Sequence, residues 1–333
     1  MTLAQLLDRF ETVERSIVVV NRTDPDPVRN MLVDTFGDDA VQIVERAARN
    51  GSSEPQPRVD AWADATTMQP AGDGDSGRTD SAGDTEGRLD PAVLRDHDAV
   101  PFDGDSVADA ENLALLVEDD AVIAGSSLEE LGRAVLFVNS DLYITGARSL
   151  DSVALPRVIT GLEDTRFTLQ GYPESNRQKL LLVTISRFIE RVAWTAADGT
   201  IRSSFQRLSR IDDELGTRRV YERLSEAGVQ AHLYGVPDDP PTGLDAAIHG
   251  GRSADFTDSW FVLFEPPDGF GGVAGTDEAP GIEAETDEAD LERGVQGGVG
   301  LLAVETEPRR WEGTWTFDPA QLRALRGYIK RNL

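Results

Sequence analysis

The residues of this chain best suited to chemistry are two histidines on predicted strands. His232 and His249 lie on successive predicted strands, and alternation along the first strand places His232 on one face with Gln230 and Tyr234. An imidazole can contact a ligand, act as a general base or form a hydrogen bond within the fold. The remaining histidine, His97, lies in an acidic polar stretch, where we expect it to be incidental. The pattern leaves these roles open for the pair.

A second polar group lies where a predicted strand joins a predicted helix. The connecting segment is Phe205–Ser209 (FQRLS). Gln206 and Arg207 are placed to meet a polar or anionic ligand near the start of the helix, where backbone N–H groups are free to donate. The alternative is structural, with Ser209 or a neighbour capping the helix and Arg207 pairing with a surface acid.

Large aromatic side chains recur through the second half of the chain. We expect most of them in the core, because aromatic rings bury large apolar areas. If one face of the sheet is open, some would line an apolar pocket that suits a flat ligand. Trp194 and Trp260 are the candidates for that role. The full set is Trp194, Trp260, Phe261, Trp311, Trp315 and Phe317.

The motifs of common enzyme classes are absent from the sequence. There is no GxxxxGK[ST] phosphate loop and no GxSxG elbow, and the glycines of 269–272 and 294–300 do not join a strand to a helix. The lack of cysteine excludes a thiol nucleophile, disulfides and a cysteine zinc site. We therefore predict no catalytic residue, no metal site, no cofactor and no enzymatic activity. Only a pocket that gathers Arg207, His232 and nearby acids would favour an enzyme.

The chain is strongly acidic. It contains 60 acidic and 32 basic residues, which gives a formal net charge of -28. Lys179 and Lys330 are the only lysines. Such a charge destabilises a compact state by self-repulsion, which high salt screens. We interpret the acidic composition as adaptation to a halophilic cytoplasm. The alternative is an acidic protein that binds a basic partner.

The same composition bears on location and on nucleic acid. No apolar run is long enough to span a membrane, and the first residues carry acids where a signal peptide needs a basic flank. We therefore expect a cytoplasmic protein without membrane contact. The negative field argues against nucleic acid as a partner unless bases cluster locally. Basic residues cluster in one place, near the C-terminus. They either complement the dipole of the last helix or form a patch that binds nucleic acid or an acidic partner. The cluster comprises Arg309, Arg310, Arg323, Arg326, Lys330 and Arg331.

Composition divides the chain into predicted segments. Residues 1–50 and 109–154 form an N-terminal α/β portion, and 155–333 form a second unit. Residues 51–108 are acidic and rich in Gly, Ser, Thr and Pro, so we predict a disordered insertion. A second acidic, glycine-rich stretch, 267–298, predicts a long disordered loop.

Periodicity predicts the elements of both units. The N-terminal portion comprises a helix after Thr2, strand Ser16–Val20, a helix from Val28, strand Val41–Val44, a hairpin of Leu113–Val117 and Ala121–Ala124, and a helix capped by Ser126 and Ser127. The second unit comprises helix Asn176–Val192, strand Thr200–Phe205, a helix from Leu208 to Gly228, strands Val229–Tyr234, Ala246–His249, Trp260–Phe264, Leu301–Val304 and Trp311–Phe317, and a last helix capped by Asp318.

Strands and helices mix without a strict βαβα rhythm, which favours an α+β fold with mixed or antiparallel sheets packed by helices. Helix Asn176–Val192 is apolar almost all round at its centre. Such a helix is buried on several sides or pairs with a second chain, so a homodimer is one expectation.

Short segments in a fixed order resemble the DICT sensory-domain family, in particular its stand-alone haloarchaeal members. The resemblance is best over about 155–333 and looser over 1–50 and 110–150. The segments that carry it are Arg191–Trp194 (RVAW), Phe205–Ser209 (FQRLS), Val229–Pro237 (VQAHLYGVP), Asp258–Val262 (DSWFV) and Trp315–Pro319 (WTFDP).

This resemblance implies a sensory or signal-relay role without an established activity or catalytic motif. We therefore expect a module that binds a small ligand or a signalling protein, with the ligand beside the Phe205–Ser209 junction and the strand carrying His232 and Tyr234. No kinase, cyclase or helix-turn-helix output region is found in the sequence, so a partner protein would carry the signal. The alternative is a transcription regulator that uses the C-terminal basic helix.

Overall fold

A computed structural model describes residues 1–20, 112–119, 121–138, 155–170, 178–213, 215–270 and 286–333. Helices and two β-sheets, one antiparallel and one mixed, make up this part of the chain, which confirms the predicted α+β class. The predicted helix from Val28, strand Val41–Val44 and insertion 51–108 lie outside the described residues.

The smaller sheet has three antiparallel strands in the order β1-β2-β3: β1 (Ser16–Val20), β2 (Leu113–Glu118) and β3 (Ala121–Ser127). β2 and β3 form the predicted hairpin. Helix α1 (Leu3–Leu7) begins after Thr2, whose side chain accepts a hydrogen bond from the backbone of Gln5. Helix α2 (Leu128–Val138) follows β3 directly, and the backbone N–H of Glu130 donates to Ser127 Oγ at 3.0 Å. The predicted cap at Thr2 is confirmed. Of the two predicted caps of α2, Ser127 makes the capping hydrogen bond, whereas Ser126 Oγ accepts the backbone N–H of Val158 at 3.3 Å.

The larger sheet has seven strands in the order β4-β10-β9-β8-β5-β6-β7. β5, β6 and β7 are parallel, and the other neighbours are antiparallel. β8 lies in the middle of this order. The bounds are β4 (Phe167–Gln170), β5 (Thr200–Arg207), β6 (Gln230–Val236), β7 (Ala247–Gly250), β8 (Ser259–Glu265), β9 (Val299–Glu307) and β10 (Arg310–Thr316).

Helices cover one face of the larger sheet. They are α4 (Gln178–Ala196), α6 (Leu215–Glu226) and α8 (Thr286–Gly297), and short helices α3 (Arg157–Thr160) and α5 (Arg210–Asp213) adjoin them. The core side chains of α4 include Leu182, Ile185, Phe188, Ile189 and Val192, all buried within this chain. Burial by the chain's own sheet and helices therefore accounts for the apolar character of α4 without a second copy.

The opposite face carries α1, the short helix α7 (Ala254–Thr257) and the C-terminal helix α9 (Pro319–Asn332). Alternation along the strands divides the side chains between the two layers. In β8, Val262 and Phe264 pack toward α4, whereas Phe261 and Leu263 pack toward α9. The predicted cap of α9 is confirmed, since the side chain of Asp318 accepts the N–H of Gln321 at 2.7 Å.

The prediction that residues 267–298 form a long disordered loop is wrong in part. Residues 286–297, inside the predicted loop 267–298, form helix α8. Leu291 and Val295, four residues apart, pack against the core, and a Cβ on Gly294 would lie only 2.9 Å from Cγ1 of Val192. Tertiary contact on one narrow stripe therefore stabilises a helix whose acidic composition predicts none. Residues 271–285 lie outside the described residues.

Both sheets contribute buried side chains to one continuous cluster, in which Ile17 and Leu116 of the smaller sheet pack with side chains of α4 and the larger sheet. The division between 109–154 and 155–333 stays a prediction. No helix of the described residues has the length and apolar character needed to cross a membrane.

Candidate functional site

Three neighbouring parallel strands bring four polar side chains together. Arg202 on β5 is paired in register with His232 on β6, and Tyr234, two residues further on β6, is paired with His249 on β7. Side chains at such positions stand side by side on one face of a sheet. We call these residues, Arg202, His232, Tyr234 and His249, the Arg–His–Tyr cluster.

The rings of this cluster are in direct contact. His232 Nδ1 lies 2.9 Å from His249 Nε2, so one nitrogen donates a hydrogen bond and the other accepts it. The Tyr234 ring stacks on the His249 ring, with centroids 4.3 Å apart and planes 10° from parallel. The accepting nitrogen carries no proton, which means that the pair is not doubly protonated in this arrangement.

The surroundings keep both imidazoles neutral at pH 7. Burial lowers the pKa of His232 to about 4, and the charges of Arg202, His249 and Lys330 act in the same direction. Burial and the charge of Arg202 lower the pKa of His249 as well. Burial raises the pKa of Tyr234, against the opposing effect of Arg202. Because Arg202 is already charged, protonation of either imidazole adds a second positive charge beside it.

Arg202 is a buried cation, with only 4% of its surface exposed. Its Nη1 donates a long hydrogen bond of 3.5 Å to Tyr234 Oη, and its buried Nε has no hydrogen-bond partner. Within the described ranges, no carboxylate forms an ion pair with this guanidinium. A buried charge without a counter-charge costs several kcal/mol of unfolding free energy.

The cluster is closed on one side and partly open on the other. Tyr234 packs against Phe261, with ring centroids 5.4 Å apart, in the core beneath α9. His232 and His249 are only partly buried, and the strand that carries His249 pairs only with β6 among the described strands. The two imidazoles therefore lie between the buried Arg202 and the edge of the described sheet at β7.

The predicted site at the Phe205–Ser209 junction is arranged differently. Asp238, from the segment after β6, accepts hydrogen bonds from the backbone N–H of Ser209 at 3.1 Å and from its hydroxyl at 3.0 Å, which lowers the pKa of Asp238 to about 2. Arg207 is exposed, and its Nη1 lies 3.6 Å from this same carboxylate. The chain's own acid thus lies at the junction predicted for an anionic ligand, and the pairing of Arg207 with an acid, which was part of the structural alternative, is present.

Gln206 lies at an irregularity of β5, with φ of +58° and a shifted register against β6. Its side chain is buried, and Oε1 accepts a hydrogen bond from Arg210. This amide therefore ties the end of β5 to the helix that follows.

The two predicted tryptophans lie on the opposite face of the sheet from His232. Trp260 Nε1 donates to Ser186 Oγ of α4 at 3.0 Å, and its ring meets the Trp311 ring edge-on at 6.5 Å. Trp194, within α4 because this helix extends past the predicted end to Ala196, packs partly buried against the same core. Of the six predicted ligand residues, the structure brings together His232 and Tyr234, and it places Trp194, Gln206, Arg207 and Trp260 elsewhere.

Sequence reasoning missed Arg202 and left His249 as an unassigned partner. One signal was available, since a charged residue in the middle of a strand covered on both faces has to find a polar environment. The strand pairing that joins residues 202, 232 and 249 could not be read from the sequence.

A second buried arginine lies on the other side of the sheet. Arg187 Nη1 donates to Glu190 Oε2 at 2.6 Å, and Nη2 donates to Thr217 Oγ1 at 2.9 Å. The Tyr221 hydroxyl donates to Glu190 Oε1 at 3.1 Å, and burial together with the Glu190 charge raises the pKa of Tyr221. We call these four residues the Arg–Glu–Tyr network; it joins α4 to α6.

The C-terminal bases make intramolecular contacts. Arg326 pairs with Glu265 at the end of β8 and lies over the Phe270 ring at 5.3 Å. Arg323 Nη1 donates to the backbone oxygen of Phe270 at 2.9 Å. These contacts attach α9 to the sheet.

No group of three or more His, Asp or Glu residues that could hold a metal ion occurs in the part of the chain that the structure describes. Comparison of the chain with models of protein families, with curated proteins and with solved structures finds no match.

Proposed function

We propose that this protein is a non-enzymatic sensory module, which binds a small ligand at the Arg–His–Tyr cluster and passes the signal to a partner protein. The observation that carries the proposal is Arg202, a buried cation beside two partly exposed imidazoles, with no acid to pair with it among the described residues. Groups held in a costly arrangement without an internal partner are typical of binding sites.

The histidine pair is better suited to binding than to proton transfer. A general base works best with a pKa near the working pH. The pKa of His232 lies at about 4, and its Nδ1 is already engaged by His249. A ligand at the cluster would therefore be recognised through hydrogen bonds and charge.

The position of the cluster suits a switch. His249 lies on the edge strand β7, and Lys330 of α9 is close enough to lower the pKa of His232 by its charge. A ligand that contacts both β7 and α9 would bind more tightly to a conformation with one arrangement of these two elements than to a conformation with another. That difference in affinity shifts the population toward the conformation that binds better. The resemblance to DICT sensory domains supports this reading, and the setting that we propose is a cytoplasm at high salt.

The alternative of a transcription regulator has less support. Its proposed DNA contacts, Arg323 and Arg326, are used to attach α9 to the sheet. A basic side chain that is already paired offers less to a phosphate backbone.

A ligand screen by thermal shift tests the proposal. The purified chain in concentrated potassium chloride is screened against small charged and neutral metabolites, beside the variants His249→Asn and His97→Asn. We expect at least one compound that raises the melting temperature of the parent chain and of His97→Asn but not of His249→Asn. Absence of any such compound, or a shift that His249→Asn retains, would contradict the proposed site.

A further inference from the structure

We infer that the ligand of the Arg–His–Tyr cluster is an anion with a carboxylate or oxyanion group, and that its binding takes up one proton at the His232–His249 pair. This inference rests on the proposed function and specifies the chemistry of the same site.

The buried charge of Arg202 favours an anionic ligand. A guanidinium stays protonated throughout the physiological pH range and cannot escape burial by losing its proton. Its Nε has no hydrogen-bond partner, and its one side-chain contact, to Tyr234 Oη, spans 3.5 Å. A carboxylate or oxyanion supplies the missing negative charge and accepts two parallel N–H bonds from the guanidinium. A neutral or cationic ligand would leave the buried charge uncompensated.

Before an anion binds, the imidazoles of the cluster lie among positive charges. In the free protein the charges around His232 are positive: Arg202 from β5 and Lys330 from α9, with His249 of β7 facing it as well. The acid of the adjacent helix α7, Asp255, is engaged by the backbone N–H of Leu3 at 3.0 Å and by the Tyr328 hydroxyl.

A bound anion reverses this balance. Its negative charge favours the imidazolium form and offsets the repulsion from Arg202. The proton comes from solvent: the neutral histidine pair, one proton and the free anion give an anion bound beside one imidazolium. That imidazolium donates from both nitrogens, so it keeps the His232–His249 hydrogen bond and gains a donor toward the ligand.

Two imidazole nitrogens 2.9 Å apart could also bind one transition-metal ion. The charge of Arg202 opposes a cation at that place. Metal binding is therefore the outcome that the inference excludes, and the experiment includes it.

The test uses proton NMR of the histidine ring protons, because the chain has only three histidines. The probes are benzoate, its neutral counterpart benzamide, inorganic phosphate and zinc ion, each added at a constant potassium chloride concentration and over a range of pH. The variants are Arg202→Met and a control, Arg133→Met, which removes an exposed arginine of α2.

We expect benzoate or phosphate to shift the signals of His232 and His249 and to raise their titration midpoints, while benzamide leaves both unchanged. The affinity for the anion should rise as the pH falls, by up to about tenfold for each unit of pKa that the pair gains on binding. Both effects should be lost in Arg202→Met and kept in Arg133→Met.

The alternative outcomes separate the two proposals. Binding of benzamide at these histidines, anion binding that does not change with pH, or tight zinc binding would overturn the inference while leaving a ligand-binding site at the cluster. Failure of every probe to move either histidine signal would overturn the inference for these anion classes, and the metabolite screen would then decide the proposed function.

Discussion

The Arg–Glu–Tyr network and the Arg–His–Tyr cluster lie on opposite faces of the same part of the sheet, and each contains a buried arginine. Phe205 of β5 packs on Tyr221 of the network, while Arg202 of the same strand points into the cluster. In the network, Nη1 and Nη2 of Arg187 donate to Glu190 and Thr217. In the cluster, no carboxylate of the described residues pairs with Arg202.

This difference separates two uses of a buried cation. A paired arginine holds two helices in place, and the loss of its partner is costly. An arginine without an internal acid gains no ion-pair stability within the fold, which agrees with the proposal that the folded chain binds an anion there. The stabilities of variants at the two sites test whether the two arginines differ in this way.

The largest effect should come from removing the acid of the paired arginine. Glu190→Gln keeps the shape of the side chain but leaves Arg187 without a counter-charge, so we expect a loss of about 3 kcal/mol of unfolding free energy. Urea denaturation measures it. The control is Glu129→Gln, which breaks an exposed ion pair with Arg133 on α2 and should change stability by less than about 0.5 kcal/mol. Equal losses in the two variants would show that the network is not a buried ion pair.

The unpaired arginine should behave in the opposite way. Arg202→Met replaces an uncompensated buried charge with an apolar chain of similar length, so we expect the unfolding free energy to stay the same or rise by about 1–2 kcal/mol. The same urea measurement on the ligand-free protein checks this. A loss of more than about 2 kcal/mol would mean that Arg202 has a structural partner and that the comparison between the two arginines fails.

The two tyrosines give a smaller, direct comparison. Tyr221→Phe removes the donor to Glu190 Oε1 at 3.1 Å and should cost about 1–2 kcal/mol. Tyr234→Phe removes only the 3.5 Å contact with Arg202 and should cost less than about 0.5 kcal/mol. Urea unfolding of both variants measures the difference. If Tyr234→Phe is the more costly change, the cluster is the better satisfied of the two.

The smallest effect is the pH dependence that His232 of the cluster should contribute. The unfolded imidazole of His232 takes up a proton near pH 6.5, whereas the folded one resists until about pH 4. The unfolding free energy therefore falls as the pH drops from 6.5 to 4, and above 6.5 the contribution is constant. Melting temperatures of the parent chain minus those of His232→Gln should fall over this window. The control is His97→Gln, which removes the histidine outside the cluster, and the difference between it and the parent chain should show no such trend.

Much of the fold could be predicted from local pattern. The strands Ser16–Val20 and Trp260–Phe264 follow from runs of β-branched and aromatic residues, and the caps at Thr2 and Asp318 follow from short polar side chains before apolar stripes. Helix α8 was missed because its stability depends on the contact of Leu291 and Val295 with the core, which composition does not contain.

The site was predicted less well than the fold. His232 and Tyr234 share a face because side chains alternate along one strand, so sequence alone places them together. Arg202 and His249 join them only through the parallel pairing of β5, β6 and β7. Trp194 and Trp260 lie on the opposite face of the sheet. Gln206 and Arg207 are engaged at the end of β5 by Arg210 and Asp238.

The sequence by itself determined the α+β class, most element positions, the absence of cysteine chemistry and the strongly acidic character of this chain. These properties depend on residues near one another in sequence or on totals over the chain. Only the tertiary structure decided which arginine has an acid to pair with and which does not. Pairing depends on which strands and helices become neighbours, and that is set by the packing of distant segments.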